Sequence, residues 1–152
     1  MSNIGLSEFA DKLNEIIPIL MRGLARQQAN ELFKGKITLP QFLILEFLQH
    51  KGESTMTSLA KFMGITPAAM TGIIDRLVKY SYCLRKYETQ DRRVIKIGIT
   101  PKAADLLKRI NQERRQMVIK VFGKISEKDR QDYLRVITKV KEIVSKENGS
   151  PR

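Results

Sequence analysis

Between Ile65 and Thr100 the chain gathers groups suited to holding a polyanion: Arg76, Lys79, Arg85, Lys86, Arg92 and Arg93. Guanidinium groups grip phosphate or a base edge with two parallel hydrogen bonds, and ammonium groups act as point charges. Arg76 suits either a bidentate pair with guanine or a phosphate. Arg92 and Arg93 sit side by side at the tip of an expected hairpin, where they reach a minor groove or straddle phosphates. Lys79, Arg85 and Lys86 fit sequence-independent phosphate contacts. Small residues surround the first cation. Pro67, Ala68, Ala69, Thr71 and Gly72 let a helix backbone come close to a ligand, and Thr71 either donates to phosphate or touches a thymine methyl. Asp75 orients Arg76 or a hairpin arginine, or simply stands in water, and Asp91 braces one of its neighbouring arginines.

Two kinds of element must position these groups. Met70, Ile73, Ile74, Leu77 and Val78 follow the i, i+3, i+4, i+7, i+8 rule, so Pro67 opens a helix with one buried stripe. Its opposite face carries the small and basic residues. Thr57 to Met63 reads as a shorter helix closed by Gly64, and two short helices joined by a tight glycine turn match a helix-turn-helix. Tyr82 to Tyr87 and Val94 to Ile99 read as the strands of a basic hairpin. A surface helix beside such a hairpin fits duplex DNA, with the helix in the major groove and the hairpin on the backbone or in the minor groove.

Other chemistry has little material. His50 and Cys83 are the lone histidine and cysteine, far apart in sequence, and no paired-carboxylate, nucleophile–base or phosphate-loop pattern accompanies them. No enzyme, metal or cofactor is expected. Cys83, beside Arg85 and Lys86, is either an oxidation-sensing thiol of lowered pKa or a small buried hydrophobe. Tyr80, Tyr82 and Tyr87 suit packing better than base stacking. Lys and Arg number 28 against 16 Asp and Glu, a formal +12, which favours phosphate-rich partners and fast electrostatic capture. One cysteine, no basic-then-apolar leader and no long apolar run point to a cytoplasmic protein that does not enter the membrane.

Leu6, Phe9, Leu13, Ile16, Ile17, Leu20 and Leu24 predict a first helix over roughly 7–32, with a kink or break at Pro18. Thr38 and Gln41 have capping-box spacing ahead of a helix that is apolar nearly all round and central to the domain. Pro101 opens a long helix to about Phe122, and Ser126 caps a last one with Tyr133, Ile137, Val140 and Val144 in a stripe. The expected organisation is an N-terminal dimerisation helix (1–37), a winged helix-turn-helix (38–100), C-terminal dimerisation helices (101–147) and a polar tail (148–152). The class is mainly α, with some β in the wing. The outer helices bring apolar stripes that pairing with a second copy would bury, giving a two-fold homodimer. A self-contained bundle within one chain is the alternative.

The stretch from Thr38 to Ala103 resembles the MarR family of transcriptional regulators. Leu39-Pro40-Gln41-Phe42 is similar to the opening of that family's second helix. Leu59-Ala60 with Gly64-Ile65-Thr66 matches its helix-turn, and Ile74-Asp75-Arg76-Leu77 the end of its recognition helix. Asp91-Arg92-Arg93 followed by Ile99-Thr100 matches its wing. The resemblance implies a homodimeric binder of double-stranded DNA, usually a repressor and often released by a small aromatic or phenolic effector or by thiol oxidation; two-fold symmetry would make its preferred site pseudo-palindromic. The kinked first helix and the wing base would flank the effector pocket. Two family glycines are replaced, by Ser81 after the recognition helix and by Ala103. The alternative is a winged-helix module that binds RNA or protein without ligand control, which would need an exposed aromatic platform or apolar patch.

Overall fold

The computed structural model describes residues 4–27, 37–88 and 94–147. Helix α1 spans Leu6–Gln27, α2 Leu39–Lys51, α3 Met56–Met63, α4 Pro67–Lys79, α5 Pro101–Phe122 and α6 Glu127–Glu147. Strands β1 (Ser54–Thr55), β2 (Cys83–Tyr87) and β3 (Ile95–Ile99) form one antiparallel sheet in the order β1-β3-β2. This is the mainly helical winged helix-turn-helix expected from the sequence.

Local chemistry sets most boundaries. The Thr38 hydroxyl accepts from the Gln41 N–H, while the Gln41 side chain accepts from the Thr38 N–H at 2.9 Å. The reciprocal pair satisfies two donors that a helix start leaves open. Thr55 and Thr66 cap α3 and α4 in the same one-way fashion. Gly64 ends α3 at φ 65°, with its own N–H donated to the Lys61 carbonyl and the Ile65 N–H to the Ala60 carbonyl. That pair of bonds needs a left-handed residue, which glycine adopts at little cost.

The core lies between α2, α3, α4, the sheet and the first half of α5. Phe42, Ile44, Leu45 and Leu48 of α2 meet Leu59 of α3, Met70, Ile74 and Leu77 of α4, and Ile97 of β3. It does not stop at the wing, because Ala103, Leu106, Leu107 and Ile110 of α5 are buried in it too. The chain divides into two compact units, residues 1–114 and 115–152. In the second, Phe122 packs on Tyr133 with ring centroids 5.2 Å apart.

Some expectations are corrected. α1 continues through Pro18, so of the expected kink or break there is no break; a single missing N–H removes one bond, and the turns on either side keep theirs. The turn after Gly52 contains β1, whose Ser54 and Thr55 pair with Ile97 and Lys96. Two residues carry no readable alternation, so only the partner strand reveals it. Of the three tyrosines expected to pack, Tyr82 is buried while Tyr80 and Tyr87 are exposed. β2 is an edge strand that runs outward from the core, and burial falls along it from Cys83 to Tyr87.

Candidate nucleic-acid interface

Helix α4 presents two faces of different character. Met70, Ile74 and Leu77 are fully buried, and Ile73 and Val78 pack partly against the same core. Pro67, Ala68, Ala69, Thr71, Gly72, Asp75, Arg76 and Lys79 are all exposed. The Thr71 hydroxyl donates to the Pro67 carbonyl at 2.9 Å, one turn back along the helix. Gly72 has ordinary helical backbone, and a Cβ built there would meet nothing within 4 Å. The helix therefore offers an outward surface that is bare or methyl-lined in its first turns and cationic at its C-terminal end.

The hairpin is tied to this helix by charge. Arg85 of β2, one of the partners left open for Asp75, forms an ion pair with Asp75 of α4. Lys86 pairs with Glu53, and Lys96 with Glu88 at 2.7 Å. Lys86 and Lys96 stand directly opposite each other in the β2–β3 register. Like charges at that separation repel, and the two carboxylates interleave to relieve them. Hydrogen bonding and charge from Glu88 hold the Lys96 ammonium above its usual range. These pairs border a shallow cleft of about 200 Å³ lined by Glu53, Lys86, Tyr87, Glu88 and Lys96. Arg85 and Lys86 thus already hold carboxylates, so a phosphate must share or displace them. Among the described residues Arg76 and Lys79 take part in no ion pair. Asp91, Arg92 and Arg93 lie outside the described residues.

The thiol of Cys83 is not an activated one. It is 3% exposed, and desolvation pushes its pKa from 9.0 to about 12. The cations expected to lower it are turned to Asp75 and Glu53 instead. Strand alternation puts Lys86 on the opposite side from Cys83, while Arg85, on the same side, is drawn off by its ion pair with Asp75.

Comparison with known proteins bears on this geometry. The MarR family model matches residues 37–95. The solved structure of a MepR-like protein complexed with pseudoligands is 31% identical, covers 95% of this chain and 97% of that one, and superposes with a TM-score of 0.56. The chain belongs to the MarR family. It is a transcriptional regulator of a DNA-binding family, not an enzyme. Among curated MarR-like relatives, the transcriptional repressor MdtR of Bacillus subtilis is 24% identical over 124 residues, covering 79% of this chain and 80% of the relative. A mutant MarR from E. coli complexed with operator DNA shares the fold, at a TM-score of 0.64 and 20% identity over 90% of this chain and 98% of that chain.

Against the MarR pattern, Ser81 stands where glycine is usual, and it keeps the glycine conformation at φ 61°. The Ser81 N–H donates to the Val78 carbonyl and the Tyr82 N–H to the Leu77 carbonyl, the same left-handed ending seen after α3. The turn is latched from α5. The Thr100 hydroxyl donates to the Ser81 carbonyl at 2.7 Å, and the Lys102 ammonium donates to the Tyr80 carbonyl at 2.7 Å while lying over the Tyr82 ring. Glu53, Glu88, Lys96, Thr100 and Lys102 were missed as partners of the site. Their pairings depend on strand register and on the α4–α5 approach, which no local pattern encodes. No helix among the described residues is long and apolar enough to cross a membrane.

Proposed function

We propose that the chain is a homodimeric repressor that binds a pseudo-palindromic operator, with α4 in the major groove and the β2–β3 wing on the minor groove or backbone. The observation that carries this reading is the exposed, small-then-cationic face of α4, tied by Asp75–Arg85 to the adjoining hairpin. A thin helix fits the major groove, and a net charge of +12 draws it to phosphate. The repressor role is favoured by the likeness to MdtR, and operator binding by the likeness to the DNA-bound MarR variant.

Pairing of two copies is supported by unburied apolar surface. Phe9, Leu13, Ile16 and Leu20 of α1 are exposed, as are Leu134, Ile137, Val140 and Val144 of α6. No α6 residue is buried within the chain. Such stripes in water are unfavourable by about 25 cal/mol per Å², and self-complementary contact removes them. Two recognition helices about 34–36 Å apart would then enter successive grooves on one face of the duplex.

Release by a small aromatic or phenolic effector completes the reading, supported by the likeness to the MepR-like protein that carries pseudoligands. Its site would lie by α1 and the wing base rather than in the cleft around Lys86 and Lys96, whose walls are charged. Selection of bound duplexes from a random pool, with the mass of the complex measured in parallel, tests the core of the proposal. An inverted repeat bound by two chains is expected. Recovery of no duplex, even in dilute buffer, or a one-chain complex on a single half-site, would overturn it.

A further inference from the structure

The first turns of α4 offer the groove almost no hydrogen-bond donor. The Thr66 hydroxyl is held at the cap, where it accepts from the Ala69 N–H. Pro67 has no N–H, Ala68, Ala69 and Gly72 carry no polar side chain, and the Thr71 hydroxyl proton is given to the Pro67 carbonyl. Asp75, one turn further on, is an acceptor engaged with Arg85. Guanine presents two acceptors in the major groove and adenine one beside its amino group, so reading either bidentately needs an outward donor. Thymine alone presents a methyl. With its hydroxyl proton committed to Pro67, exposed Thr71 has its methyl left to offer the groove, on the same exposed surface as Ala68 and the bare Gly72 backbone.

We infer that Thr71 is a specificity-determining residue that reads thymine through methyl–methyl contact, leaving hydrogen-bonded readout to the Arg76 end of α4. The inference rests on the DNA-binding reading above and deepens it. Each operator half-site contains a thymine under Thr71, recognised by its 5-methyl group rather than by its carbonyl or by the phosphate. Rotating the hydroxyl toward a phosphate would forfeit the Pro67 bond. A helix whose backbone can come close, as Gly72 permits, gains more from the methyl contact.

The test replaces thymine by deoxyuridine, which removes the 5-methyl and preserves pairing. Duplexes obtained by random selection are resynthesised with deoxyuridine at one thymine position at a time, and affinity is measured for the wild-type chain, Thr71→Val and Thr71→Ser. One methyl withdrawn from contact predicts roughly fourfold weaker wild-type binding for one half-site, and about fifteenfold for both, at one symmetric position only. Thr71→Val, which keeps a methyl and lacks the hydroxyl, should keep the deoxyuridine penalty. Thr71→Ser should bind thymine and deoxyuridine duplexes alike. Matching thermal unfolding of the three proteins shows that none has lost its fold. Wild-type affinity indifferent to deoxyuridine at every position overturns the inference, as does loss of binding in Thr71→Val with retention in Thr71→Ser. Both results leave the DNA-binding reading standing. Failure of the wild-type chain to bind any duplex removes that reading and this inference with it.

Discussion

Replacing Gly72 by alanine should stabilise the protein and weaken its hold on DNA, two effects that would normally be expected to run together. Gly72 lies in the interior of α4, five residues after its first and seven before its last. A glycine there is about 1 kcal/mol less favourable than alanine, because it loses more backbone freedom on folding. Most helical glycines that persist make room for a neighbour. Here a Cβ would meet nothing within 4 Å, so nothing inside the chain opposes the gain. Alanine should raise the unfolding free energy by about 0.8–1 kcal/mol, or Tm by about 2–4 °C for a chain of this size. On DNA the sign reverses if the helix backbone lies against the groove at this point. One surplus methyl in a close-packed contact costs about 1–3 kcal/mol, equivalent to roughly 5- to 150-fold in Kd. Circular-dichroism melting and fluorescence-anisotropy titration of a labelled operator measure the two effects on one sample. A neutral or destabilising alanine would refute the claim that the space is open. A stabilised protein with unchanged affinity would show that residue 72 does not approach the duplex.

Three further outcomes follow from particular groups. Ser81→Gly should raise stability by about 0.5–1 kcal/mol, because a left-handed residue with a Cβ is strained and glycine is not; denaturant titration measures it, and an unchanged midpoint would show that the Thr100 and Lys102 latch absorbs the strain. The Cys83 thiol, with its pKa raised from 9.0 to about 12 by burial, should resist iodoacetamide at pH 8.5 until the protein unfolds, as followed by mass spectrometry. Because the folded state holds that proton more tightly, the group does not destabilise the fold below about pH 9. Stability should fall as pH rises from there toward 12, where the unfolded chain releases the proton first. Replacing Arg92 and Arg93 together by alanine should lower the slope of log affinity against log salt by roughly one or two, and an unchanged slope would remove the wing tip from the interface.

The sequence by itself determined what depends on neighbours within a few residues. Helix starts at Thr38, Thr66 and Ser126 follow from capping hydroxyls, and the α3 stop follows from Gly64, because those bonds close within one turn. The buried stripe of α4 and its exposed opposite face follow from a period of 3.6, which is a property of the chain alone. Tertiary structure decided everything that required two distant segments to meet. Asp75 chose Arg85 rather than Arg76 because α4 packs beside β2, and Glu53 reached Lys86 across 33 residues because β3 joins β1 and β2 in one sheet. Cys83 became inert through burial, although its sequence neighbours are cations. Ser81 took a glycine's conformation because bonds from both α4 and α5 converge on its turn. A side chain's partners and its access to water depend on what the rest of the fold brings alongside, and no local pattern carries that information.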